Sequence, residues 1–152
     1  MKHLLPTLFT RFLTLAALYA GTALADDPVK YPNTQYPDFP FSEAVAHGGV
    51  LYLSGEIGTG PDGKLVAGGI QGEARQTMDN IRGKLERHGL TMDDVIKCTV
   101  FLADIDEWGD FNQVNARYFA KGRFPARSAL AASGLALNAR VEVECLAAMQ
   151  DN

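Results

Sequence analysis

Histidine is scarce in this chain of 152 residues, and its three copies are scattered. His3 stands near the start, His47 beside two glycines, and His88 at the end of a helical pattern, where a cation is favoured. No metal-ligand spacing can be drawn from them. No histidine base stands in reach of a serine, which argues against a serine nucleophile. Cysteine is scarcer still: two residues are too few for a disulfide scaffold. Cys98 and Cys145 fall in apolar, strand-like runs, where buried free thiols are the simplest reading, and a disulfide is open to them only if those strands are neighbours. Basic residues are outnumbered, 14 against 18 acidic ones, for a net charge of −4. That balance argues against nucleic acid and anionic membrane surfaces as partners.

Long apolar runs are also missing. The strongest, Phe12 to Ala20, is too short to span a membrane. With Lys2 and Arg11 before it and Ala23-Leu24-Ala25 after it, the run has the layout of a secretory signal peptide. The sequence therefore predicts a signal peptide over 1–25, export to a periplasm or beyond, and a mature chain from Asp26 that has no membrane partner after cleavage. Of the 14 basic residues, Lys2 and Arg11 precede Asp26, which leaves 12 against 18 acidic residues, a net of −6.

Residues 26–39 form a proline-rich extended arm, with three of the seven prolines at 28, 32 and 37 and a fourth, Pro40, directly after it. The rest, 40–150, has a hydrophobic content suited to one domain. A hairpin is expected from Phe41 to Ile57, turning at His47-Gly48-Gly49. After a glycine-rich loop, with Leu65-Val66 able to add a short strand, Ile70 to His88 is apolar at helical spacing and closed by Gly89. Thr91-Met92-Asp93-Asp94 reads as a capped turn and Val95–Ala103 as a strand. A second helix, capped by Asp104 or Asp106 and ended by Gly122, presents Trp108, Phe111, Val114 and Tyr118 on one face. Two strands finish the chain, around Arg127 and around Glu142, with turn chemistry at Ser133-Gly134 and Asn138 suggesting that they pair as a hairpin. The order β-β-α-β-α-β-β describes an α+β fold, a sheet with two helices on one face.

Candidate chemistry centres on Arg127 and Glu142, which a hairpin would bring close together. A guanidinium grips a carboxylate with two parallel hydrogen bonds, and a carboxylate beside it can position a water and pass protons. The same two residues could equally bridge two strands as an ion pair. Ser54-Gly55 ends a strand where a loop begins, so its amides and hydroxyl could hold a substrate oxygen, or simply form a turn. Asn115 could line a cleft or be an ordinary helix-surface amide.

At these residues the chain resembles the RidA/YjgF family of imine and enamine deaminases. The pieces are Pro40–Val45, Tyr52–Gly58, Asn80, Val95–Ile105, Phe111–Asn115, Phe124-Pro125-Ala126-Arg127-Ser128 and Val141-Glu142-Val143-Glu144, in order from about Pro40 to Met149. The resemblance implies a chorismate-mutase-like fold, a homotrimer, and three sites in clefts between subunits. It implies hydrolysis of small 2-imino acids and their enamine tautomers to 2-oxo acids and ammonia, with no metal or other cofactor. Arg127 would hold the substrate carboxylate and Glu142 would activate water, with Ser54, Gly55, Asn115 and Phe41 shaping the pocket.

Three features depart from the family pattern. Phe41 stands where many members have tyrosine, Ala129 where archetypal members have cysteine, and the stretch from Asn115 to Arg127 is short. An exported member would also meet a substrate other than the 2-aminoacrylate of cytoplasmic pyridoxal-phosphate enzymes. The competing reading is a non-catalytic periplasmic trimer that binds small carboxylates or acts as a holdase.

Overall fold

The computed structural model of the chain describes residues 28–32 and 39–149. The expected signal peptide, residues 26, 27 and 33–38 of the expected arm, and residue 150 of the expected domain lie outside the described residues. Of the arm's described part, Lys30 exchanges two 2.9 Å backbone hydrogen bonds with Ala46, adding a bridge to the sheet edge of its own chain.

Strands β1 (Ala44–His47) and β2 (Val50–Leu53) form the expected hairpin. Gly48 and Gly49 turn it with φ of 58° and 72°, a left-handed pair that residues with side chains rarely adopt. The short β3 (Glu56–Ile57) follows, and the Leu65 region adds only a single bridge to Thr59. Helix α1 (Gly69–Arg87) matches the apolar spacing, burying Ile70, Ala74, Met78, Ile81 and Leu85. Thr91 and Asp94 close a capping box on the turn before β4 (Val95–Leu102). Asp104 caps the 3-10 turn Ile105–Glu107 by accepting the Asp106 N–H at 3.0 Å.

Helix α2 (Trp108–Asn115) is shorter than the sequence suggests. It tightens into a 3-10 turn at Ala116–Tyr118, and Phe119 turns extended to enter the core, so the helix never reaches Gly122. Strands β5 (Ala126–Ala131) and β6 (Val141–Ala148) complete the sheet, whose order is β1-β2-β6-β4-β5 with β3 also against β6.

The terminal hairpin does not form. β5 instead pairs parallel with β4, and β4 stands between β5 and β6. The reason lies in the connection: β4, α2 and β5 make a β-α-β crossover, which returns the chain parallel to its starting strand. The Ser133–Asn138 segment then carries the chain past the end of β4 to β6.

One sheet face, carrying Cys98, Val100, Leu102, Val141, Val143, Cys145 and Ala147, packs with both helices into a single apolar core. Each large side chain taken fully from water there contributes roughly 1.5–3 kcal/mol. The other face carries Tyr52, Lys97, Thr99, Phe101, Glu142, Glu144 and Leu146, alternate residues of the same strands.

Candidate functional site

That alternation decides where the two principal candidates stand. Arg127 is in register with Cys98 on the parallel neighbour β4, so it shares the helix-bearing face. Its guanidinium carbon lies 5.9 Å from the ring centres of both Trp108 and Phe111 on α2. Glu142 is in register with Phe101 of β4 and Ile57 of β3, on the opposite, helix-free face. The two sit two strands and three residues apart, about 10 Å across the sheet and about 10 Å along it, with the sheet between them. The expected closeness of arginine and glutamate within one chain is therefore overturned, and so is their ion pair. Among the described residues neither forms one.

Two half-sites result. The first is a hollow of about 270 Å³ between β5 and the end of α2, lined by Arg127, Asn112, Asn115, Phe124, Pro125 and Cys98. Asn115 is 8% exposed, a buried amide in that wall rather than a helix-surface one. Both rings stand within cation–π reach of the guanidinium, whose planar fork suits a carboxylate. Trp108, which helical spacing puts on one face with Phe111, Val114 and Tyr118, is 46% exposed at the start of that face, and its ring lies beside Arg127.

The second half-site surrounds Glu142. A Cβ on Gly55 would overlap the Glu142 carboxylate, so the absence of a side chain there is what lets the carboxylate lie against the backbone. Ser54 is already engaged: its hydroxyl donates to the Ser42 carbonyl at 2.6 Å and its N–H to the Glu43 carbonyl at 3.1 Å. Neither donor is available to a substrate oxygen. Phe41 is exposed, its ring centre 5.3 Å from that of Phe39.

Charged side chains that sequence reading passed over hold this half-site from behind. Glu56, directly after Gly55, pairs with Lys84, and buried Glu43 pairs with Arg87. Burial pulls the Lys84 ammonium down to about 8, against the raising effect of Glu43, and Arg87 lowers it further. Asn80 donates to the carbonyls of Ile57 (3.1 Å) and Thr59 (3.0 Å), and Glu73 accepts the Arg140 N–H at 2.8 Å just before β6. Glu43, Glu56 and Asn80 fall within the family motifs, but nothing in the sequence joins them to Arg87, Lys84 and the Ile57 and Thr59 carbonyls, because they meet only when α1 lies across the sheet.

Cys98 and Cys145 are not free thiols. They stand opposite each other on β4 and β6 and form a disulfide in the core, with Cys98 in the wall of the Arg127 hollow. The condition of neighbouring strands is met because β6 lies beside β4 and not beside β5.

A mixed sheet covered on one face by two helices, with an arginine hollow at its parallel edge, places the chain in the α+β class. Residues 33–149 match the family model described as Endoribonuclease L-PSP, and the chain belongs to that family, also called RidA/YjgF. It is 40% identical over 111 residues to Protein HMF1 of Saccharomyces cerevisiae, covering 73% of this chain and 85% of that one. It is 39% identical over 109 residues to the human 2-iminobutanoate/2-iminopropanoate deaminase, covering 71% and 79%. Among solved structures it is similar to E. coli TdcF with bound serine, at a TM-score of 0.69 and 28% identity, covering 74% of this chain and 90% of that one.

Proposed function

We propose that this protein is an exported hydrolytic deaminase of 2-imino acids and their enamine tautomers, with sites shared between copies in a homotrimer. The observation that carries the reading is Arg127, an exposed guanidinium without an ion-pair partner among the described residues and flanked by two rings. Arg127 of one copy grips the substrate carboxylate. Glu142 of the next copy holds a water and takes one of its protons as the oxygen adds to the imine carbon. The proton passes to the nitrogen to complete the carbinolamine; its hydroxyl proton then moves through the same carboxylate to the amino group, the C–N bond breaks, and ammonia leaves a 2-oxo acid. An imine carbon is already electrophilic, so orientation and proton transfer suffice.

The opposite faces of Arg127 and Glu142 support sharing between copies. Exposed apolar residues lie at both half-sites but differ between them, Phe39, Phe41 and Tyr52 at one, Phe124, Trp108 and Ile105 at the other. Unlike patches meet head to tail and close into a ring. The relative named as an imine deaminase supports the reaction, and the relative solved with serine supports the ligand class. The Cys98–Cys145 disulfide supports export, since such bonds persist in oxidising compartments.

A binding-only reading is favoured by one observation, the engagement of both Ser54 donors with the chain's own carbonyls. One assay separates the two. An amino-acid oxidase generates imino acids in the presence of semicarbazide, and 2-oxo acid formation is followed with residues 26–152 and with Arg127→Ala. Acceleration by the wild type alone supports deamination, and no acceleration for any imine leaves carboxylate binding.

A further inference from the structure

A second hollow, also of about 270 Å³, opens between α1 and the end of α2 and shares no lining residue with the Arg127 hollow. Its walls are Arg75, Arg82 and Arg117, and its apolar lining is Met92, Val114 and Tyr118. Arg75 and Arg82 are seven residues apart on α1, about two turns, and so leave the same face of the helix. Arg117 comes from a different element, the 3-10 turn after α2. The Arg127 hollow takes Asn115 and Ala116 from this stretch of chain, and the arginine hollow takes Val114, Arg117 and Tyr118.

The three guanidinia are unequally compensated. Arg82 pairs with Asp79 at 2.8 Å, reaches Glu86 at 4.0 Å, and lies 5.7 Å from the centre of the Tyr118 ring. The Tyr118 hydroxyl is committed, donating to Asp79 at 2.8 Å with the Arg75 carbonyl as alternative acceptor at 2.9 Å. Burial, and then the hydrogen bond to Asp79, push its pKa up to about 12, so it is a neutral part of the lining. Arg75 and Arg117 have no ion-pair partner among the described residues. In a chain of net charge −4, two uncompensated arginines converging on one hollow are a local excess that a solvating surface does not require.

We propose that this hollow binds an organic phosphate monoester, a site separate from the proposed deaminase chemistry. Two unpaired guanidinia match the two negative charges of a phosphate monoester near neutral pH, and each fork fits a pair of phosphate oxygens. The organic group lies on Met92, Val114 and the Tyr118 ring. A monocarboxylate fills only half of that charge, and inorganic phosphate leaves the apolar lining uncovered.

Titration calorimetry at low salt tests this on the mature protein carrying Arg127→Ala, so that the arginine of the other hollow contributes nothing. The probes are phenyl phosphate, inorganic phosphate and benzoate. Phenyl phosphate binds saturably, one per chain, about tenfold or more tighter than either comparison probe, and adding Arg75→Gln with Arg117→Gln weakens it at least about tenfold. Both arginines are exposed, and an unchanged circular dichroism spectrum verifies the fold. Should the combined variant misfold, each single substitution gives the same comparison. Absence of saturable binding, undiminished affinity in the variants, or equal binding of benzoate overturns the proposal. Equal binding of inorganic phosphate overturns its organic part.

Discussion

Arg127 and Glu142 project from opposite faces of one sheet, Arg127 beside Trp108 and Phe111 under the helices, Glu142 against Gly55 on the helix-free side. Rotation about side-chain bonds cannot carry either one through the strands. If both act on one substrate, two copies of the chain must meet.

Gly55→Ala places a methyl group where the Glu142 carboxylate lies. The carboxylate must move, and misplacement of a catalytic group by about 1 Å costs on the order of a hundredfold in rate. Steady-state kinetics should show that fall in kcat, while the melting temperature changes little because Gly55 is exposed. Unchanged kcat removes Glu142 from the chemistry.

The single tryptophan gives a direct view of the other half-site. Its ring lies 5.9 Å from the Arg127 guanidinium carbon, so a carboxylate arriving at the fork changes its surroundings. Titration with a non-reacting 2-oxo acid should change Trp108 emission saturably in the wild type and not in Arg127→Ala. A response that survives the substitution places the ligand elsewhere.

Much of this architecture is legible in the sequence. Gly48-Gly49 announces the hairpin, and the spacing of Ile70, Ala74, Met78, Ile81 and Leu85 announces α1. The partner of β5 is not legible, because Ser133-Gly134 and Asn138 read alike whether the chain reverses tightly or passes over a third strand. The disulfide and the separation of Arg127 from Glu142 both hang on that one pairing. Trp108 was hidden for another reason: helical periodicity assigns a face, but the short α2 presents that position at its own beginning, beside the sheet edge. The family motifs point to Arg127 and Glu142 without showing that the two stand on opposite faces of one sheet.

Reducing the Cys98–Cys145 bond, or replacing both cysteines with serine, frees a 47-residue separation in the unfolded chain. Loop-closure entropy assigns such a bond about 4 kcal/mol, and a domain of this size should lose roughly 10 °C or more in melting temperature. Thermal unfolding with and without reductant measures it. An unchanged midpoint contradicts a stabilising bond.

Tyr118 sets an alkaline limit. Its pKa is raised from 10.0 to about 12, by burial first and then by the hydrogen bond to Asp79. The folded state therefore holds a proton that the unfolded chain gives up earlier. Its contribution is complete below about pH 10 and is lost as pH rises towards 12. Denaturant midpoints should fall across that window in the wild type, and Tyr118→Phe should flatten the fall. An identical slope in both proteins contradicts the assignment.

The most direct test of a divided site mixes two inactive variants, Arg127→Ala and Glu142→Gln, unfolded together and refolded in equal amounts. In a head-to-tail ring each site takes its arginine from one copy and its glutamate from the next, so random assortment restores about a quarter of the sites. Imine hydrolysis at roughly a quarter of the wild-type rate, from two proteins that are inactive alone, is the predicted result. A mixture no more active than its components would contradict it.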